Sequence, residues 1–155
     1  MRIAIVTLGH RVPAWVAAGY EEYADRLPRE FTLQLIELKP EPRGQGKSLS
    51  QVLAAEAVRI RAACAGCTVV ALDEHGAAWT TRELARHLGR WRDEGARVAV
   101  VIGSADGLAP SIKRNAAYTL ALSALTLPHG LARVLLAEQI YRAASLLAGH
   151  PYHRA

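Results

Sequence analysis

"RVAVVIGSADG", residues 97–107, opens on a near-continuous apolar run and closes on a loop bounded by glycines. Such a run suits a central strand of a parallel sheet, because both of its faces are covered. Upstream, Thr80 and Glu83 form a capping-box pair that starts a helix. That helix carries Leu84, Leu88 and Trp91 inward and stops at Gly95. Before it, "TVVALD" (68–73) reads as another buried strand and "EHGAAW" as a turn. Downstream come a short helix at 110–117, a strand "YTLALS" (118–123) and a long helix over about 131–147.

The first half keeps the same rhythm. "RIAIVTL" (2–8) is a strand, and Pro13 opens a helix carrying Trp15, Tyr20, Tyr23 and Leu27 toward Pro28. "FTLQLIEL" (31–38) is a strand, and "KPEPRGQGKS" (39–48) is a loop rich in proline and glycine. Ser48 with Gln51 then caps a helix to about Ala65. Alternating βα units predict an α/β fold with a mostly parallel sheet flanked by helices. No internal repeat and no long linker divides the chain, so residues 1–155 read as one domain.

Composition narrows the function. Half of the 155 residues are hydrophobic, which predicts a globular chain with a real core. No stretch approaches the roughly 18 apolar residues of a membrane span, so no membrane partner is expected. The opening residues lack a small-residue cleavage site, and a cytoplasmic location follows as the expectation. Nineteen Lys plus Arg stand against 14 Asp plus Glu, and 16 of the cations are arginine. Arginine's planar fork suits phosphate, so the charge favours a polyanionic partner such as nucleic acid over a merely solubilising surface. "CAGC" (64–67) ends a helical stretch instead of starting one, which argues against a redox pair. It also lacks the two further ligands that zinc needs, and His10, His75 and His87 lack the clustering of a metal site.

Ligands of open α/β sheets bind beyond the carboxyl ends of the strands. The informative segments are therefore Leu72-Asp73-Glu74, "GSADG" (103–107) and "LSALTLPHG" (122–130). The glycine loop is neither a dinucleotide fingerprint nor a Walker loop. The first strand ends in Leu8-Gly9-His10, without the acidic pair of a response regulator. "LSALTLPHG" has three leucines and no polar turn, so its burial is expected, with its backbone groups paired. Either it wraps a planar heterocycle, or an ordinary strand runs on to Leu127.

Together these residues carry a resemblance. "LSALTLPH" (122–129), "ARVLLAEQIYRA" (132–143) and "HPYHR" (150–154) resemble the ribosomal RNA large subunit methyltransferase H family, of the SPOUT class. "VPAWVAAGYEEYADRLP" (12–28), "LDEHGAAWTTRELA" (72–85) and "VVIGSADGL" (100–108) fall in the matching order, so the likeness spans the chain. It implies a C-terminal trefoil knot, a cytoplasmic homodimer and S-adenosylmethionine as cofactor. The implied reaction is methylation of N3 of a pseudouridine in large-subunit (23S) ribosomal RNA on the assembled ribosome. By position, the resemblance assigns cofactor contacts to Leu72, Gly103, Leu122, Ser123, Ala124, Leu125, Thr126 and Leu127. A glycine at 103 also lets backbone approach a ligand closely. This chain departs from relatives at Ser104, where a second glycine is common, and at Gly130, where proline or glutamine is.

The tail carries the reacting groups of this reading. N3 of a pseudouridine keeps its proton at neutral pH, so a base within hydrogen-bond reach helps. His153 is the first candidate base and His129 the second. Arg154 and Arg142 are candidate clamps for charge developing on the flanking carbonyl oxygens, and Tyr152 can stack on the nucleobase. Arg142 has a second reading as an ion pair with Glu138 four residues earlier, and His150 as a helix-end cap. Arg82, Arg86 and Arg90 share one helical face, as a phosphate grip or as plain solvation. The rival classes are a non-catalytic ribosome-binding assembly factor and an enzyme acting on a small nucleotide.

Overall fold

The computed structural model describes residues 1–9 and 11–153, the last by its backbone alone. Five strands, β1 (Arg2–Leu8), β2 (Thr32–Leu38), β3 (Thr68–Ala77), β4 (Val98–Ile102) and β5 (Tyr118–Leu120), form one sheet in the order β2-β1-β4-β3-β5. All neighbouring pairs are parallel. The expected mostly parallel sheet is thus parallel throughout.

Strand alternation sorts the side chains onto two layers. Ile3, Ile5, Val98 and Val100 face α1 (Ala14–Ala24), α3 (Thr81–Asp93) and α5 (His129–Leu147). Ala4, Val6, Ala99 and Val101 face α2 (Leu49–Ala63) and α4 (Pro110–Asn115). The helix starts follow the sequence closely. Ser48 and Thr80 each accept from the N–H three residues on, and Gln51 and Glu83 reach back to the cap N–H. Gly95, at φ +66°, ends α3 in a left-handed turn. On α5, Ala132, Leu136, Ile140 and Ala143 are buried, as the core stripe requires.

Four expectations need correction. The 74–77 segment is not a turn: β3 continues through it, because residues 73–77 bulge and rejoin the sheet. Leu72 and Ala77 both pair with Leu120, and the Ala121 N–H donates to the Ala77 carbonyl at 2.9 Å. β5 accordingly ends at Leu120 and not near residue 123. Trp15 points outward at 59% exposure, since the inward stripe of α1 is Val16 and Tyr20, one position round the helix. The 122–127 segment is not buried: Ala124, Leu125 and Thr126 are exposed, Leu125 at 75%. It forms a wall of an open cavity, with solvent on its outer side.

Candidate cofactor site

A cavity of about 840 Å³ opens at the carboxyl ends of β3, β4 and β5. Three chain segments and the start of α5 build it. Leu72 to His75 come from the bulged end of β3, and Ile102 to Leu108 from the glycine loop after β4. Leu120, Leu122, Ser123 and Leu125 to Pro128 follow from β5, and His129 and Ala132 close the site from α5. Of the eight positions assigned by resemblance, Leu72, Gly103, Leu122, Ser123, Leu125, Thr126 and Leu127 line this one space. Ala124 does not line it, because it sits exposed at the turn of the loop.

The glycines have packing reasons. A Cβ on Gly103 would lie 2.6 Å from the backbone C and O of Gly107. The glycine is therefore required by the loop's own closure, where the Gly107 N–H donates to the Ser104 carbonyl at 2.8 Å. That closure already forbids a side chain here, independently of the close approach to a ligand read from the sequence. Gly76 was not anticipated at all: a Cβ there would lie 2.7 Å from the carbonyl carbons of Thr119 and Leu120. Backbone crosses backbone at that point.

The cavity is acidic. Asp73, Glu74 and Asp106 line it against a single lysine, Lys113, whose Nζ lies 3.6 Å from Asp73 Oδ2. Thr126 Oγ1 donates to Glu74 Oε2 at 2.8 Å, tying the 122–127 loop to β3. Ser123 Oγ accepts from the Leu125 N–H at 2.9 Å and satisfies part of that loop's backbone. Such a lining favours a ligand carrying positive charge.

His129 stands at the cavity edge. Burial first, and then the Arg133 guanidinium, hold its imidazole below the usual histidine range, so it is neutral at neutral pH. Its Nε2 is buried without a hydrogen-bond partner. Arg133, one turn on, is 2% exposed and unforeseen from the sequence. Its guanidinium donates to Glu37 Oε2 and to Thr7 Oγ1, both at 3.2 Å, and so pins the start of α5 to the ends of β1 and β2.

The tail lies elsewhere on the same chain. Pro151–His153 form a 3-10 turn against α5. The Tyr152 ring lies 4.4 Å from the Tyr141 ring, and the Arg142 guanidinium lies 4.9 Å from the Tyr152 centroid. Glu138 Oε1 accepts from Arg142 Nε at 2.8 Å and from the Tyr152 hydroxyl at 3.2 Å. The ion pair read as the alternative for Arg142 is therefore made. The His150 N–H donates to the Ser145 carbonyl at 2.8 Å and closes the helix end beside Gly149. Thirteen residues of α5 separate His129 from Arg142, about 20 Å at the helical rise. His10, Arg154 and the side chain of His153 lie outside the described residues.

Arg82, Arg86 and Arg90 are exposed along α3, Arg86 at 78%. Arg90 donates to the Tyr118 hydroxyl, beside a cluster in which Trp79 stacks on His87 with centroids 4.0 Å apart. Cys64 and Cys67 are both free, and burial pushes the Cys64 thiol up to about 11, which keeps it protonated. No helix among the described residues is long and apolar enough to cross a membrane.

The fold as a whole is shared with solved methylases. A probable methyltransferase from Bordetella pertussis superposes with a TM-score of 0.58 at 19% identity, covering 92% of this chain and 96% of that one. A probable methylase family protein from Haemophilus influenzae gives 0.57 at 16% identity, covering 99% of this chain and 70% of that one. These likenesses establish the fold. A family model described as "Predicted SPOUT methyltransferase" matches residues 1–153. The protein called ribosomal RNA large subunit methyltransferase H in Nitrosospira multiformis is 54% identical over the full length of both chains. Its namesake in Burkholderia mallei is 53% identical, again over both full lengths. The chain belongs to the SPOUT methyltransferase family, within its ribosomal RNA large subunit methyltransferase H group.

Proposed function

We propose that this chain, acting as one domain over residues 1–155, methylates N3 of a pseudouridine in 23S ribosomal RNA of the assembled ribosome. The proposed donor is S-adenosylmethionine. The observation that carries the cofactor reading is the acidic cavity walled by the 122–127 loop. S-adenosylmethionine is cationic at its sulfur and its amine, and the residues present fit such a group. A phosphorylated small nucleotide would meet Asp73, Glu74 and Asp106, with Lys113 engaged by Asp73 and Arg43 by Asp106, and no uncommitted lysine or arginine among the described lining residues. That disfavours the small-nucleotide enzyme. A non-catalytic factor has no use for the cavity.

When bound, S-adenosylmethionine supplies an electrophilic methyl group. The chain's part is to take the N3 proton and to stabilise the charge left on the nucleobase. His153 is the proposed base, and neutral His129 at the cavity edge is the alternative acceptor. Arg142 and Arg154 are the proposed clamps, with Tyr152 as a stacking partner. Arg142, on which Tyr152 packs, lies about 20 Å along α5 from His129, too far to share one nucleobase within one copy. A homodimer in which each tail serves the other copy's cavity resolves the distance, and we propose that arrangement. Exposed arginines, Arg82, Arg86 and Arg90 among them, give the pair a surface suited to ribosomal RNA.

The deciding experiment supplies tritiated S-adenosylmethionine and ribosomes from cells lacking this protein. Label is expected in large-subunit RNA, at a pseudouridine. Saturating cofactor alone is expected to raise the melting temperature by about 5–10 °C. No label and no melting shift would remove the proposal.

The α3 arginines have their own test. Replacing Arg82, Arg86 and Arg90 together by alanine is expected to reduce the salt slope of ribosome binding by about 2, as phosphate contacts are lost. An unchanged slope would leave them as solvated charges.

A further inference from the structure

Glu56 sits on α2, outside the cavity, and is 2% exposed. A carboxylate so buried needs partners for both oxygens. Oε1 accepts from the Ser104 hydroxyl at 3.0 Å. Oε2 accepts from the Glu41 N–H at 3.0 Å and from Arg43 Nη1 at 3.2 Å. Arg43 then turns its other edge to the glycine loop. Its Nη2 donates to the Ser104 hydroxyl and to Asp106 Oδ2, each at 2.9 Å, and its Nε to Asp106 Oδ2 at 3.1 Å. Three segments distant in sequence thus meet in one closed set of charge-assisted bonds.

The fold does not call for this network. The layer under α2 is already packed with Ala57, Ile60, Val101 and Ile112, and a fully apolar residue in place of a buried ion pair often serves stability as well or better. Arg43 and Asp106 are each 40% exposed, so their pairing adds little to the free energy of folding. What a planar fork adds is direction. Within the loop, the Gly107 N–H to the Ser104 carbonyl is the backbone bond that closes the turn, and Ala105 to Gly107 are exposed. The side chains that give the turn its orientation are those that Arg43 and Glu56 hold.

We infer that Arg43 and Glu56 are positioning residues for the methyl-donor site, holding the 103–107 turn in its cavity-lining shape through Ser104 and Asp106. The inference rests on the reading of the cavity as the S-adenosylmethionine site. Neither residue lines the cavity, so an effect on cofactor has to pass through the turn.

Arg43→Ala is made in a Glu56→Gln background, because Arg43→Ala alone would leave the buried Glu56 carboxylate without its charged partner. S-adenosylmethionine binding is measured by calorimetry, together with amide exchange at residues 104–107 and the urea midpoint of the ligand-free protein. Expected are a roughly tenfold weaker affinity and a KM for cofactor raised about as much, with kcat kept within about twofold. Exchange at 104–107 should quicken at least about tenfold while the urea midpoint stays put. Arg43→Lys should recover little, because an ammonium cannot fork across Ser104 and Asp106. Glu56→Gln, which keeps shape but loses charge, should shift affinity the same way. A parent that binds while Arg43→Ala binds equally well overturns this assignment alone. Affinity and urea midpoint falling together would make the network merely structural and overturn it too. A parent chain that binds no S-adenosylmethionine overturns the reading of the cavity, and this assignment with it.

Discussion

A chain cut after Gly149 is expected to remain folded, to bind S-adenosylmethionine, and to lose methyl transfer by more than about a thousandfold, as the proposed base His153 and one of the two proposed clamps, Arg154, leave together. Some stability should go as well. Tyr152 packs on Tyr141 and Arg142 and donates to Glu138, and removing one such half-buried aromatic costs about 1–2 kcal/mol. The 20 Å between His129 and Arg142 makes a sharper version possible. Truncated chains mixed with full-length Gly103→Val chains form some dimers in which an intact cavity faces an intact tail across the interface. If tails act across the interface, an equal mixture should regain about a quarter of parent activity, since half of the dimers are mixed and each has one working site. If tails act within their own chain, the mixture stays inactive. Full activity in the truncated protein alone would end the catalytic reading of "HPYHR".

The second large effect is expected at Gly76. Alanine there places a Cβ 2.7 Å from two carbonyl carbons of β5, and backbone held in a sheet cannot step aside. We expect a loss of about 3 kcal/mol or more, and a melting temperature lower by roughly 10 °C. Cofactor affinity should fall too, because Leu120 and Leu122 line the cavity a residue or two from the clash. Calorimetry on Gly76→Ala decides the matter. A variant within about 1 kcal/mol of the parent would mean that the crossing of β3 over β5 is looser than described.

These two sites mark the boundary of what the sequence could say. Local signals were sufficient wherever the cause was local. Ser48 with Gln51 and Thr80 with Glu83 specify helix starts by contacts three residues apart, and the apolar runs at 2–8 and 97–103 specify buried strands. The position of the cofactor segments also followed, because parallel strands must end on one edge. What stayed hidden depends on residues far along the chain. Gly76 looks like a turn residue until Leu120 lies across it. Arg133 reads as a surface cation, although its partners Glu37 and Thr7 stand 96 and 126 residues away. Nothing local marks Glu56 for burial, since its partner Ser104 lies 48 residues downstream. The tail shows the same effect reversed. Its residue types suggest chemistry, but helix length sets Arg142, with Tyr152 packed on it, about 20 Å from His129 at the cavity edge.

The strand order has a consequence for the newborn chain. β1 lies between β2 and β4, so during synthesis it gains its second neighbour only once residues 98–102 have followed. At bacterial or eukaryotic elongation rates that interval is about 5–20 s. Throughout it, six successive side chains from Ile3 to Leu8, all destined for burial, flank a strand edge with nothing hydrogen-bonded to it. Such an edge invites pairing with other chains. Pairing of this edge with other chains is the hazard expected during synthesis, and rapid synthesis should raise the aggregated fraction.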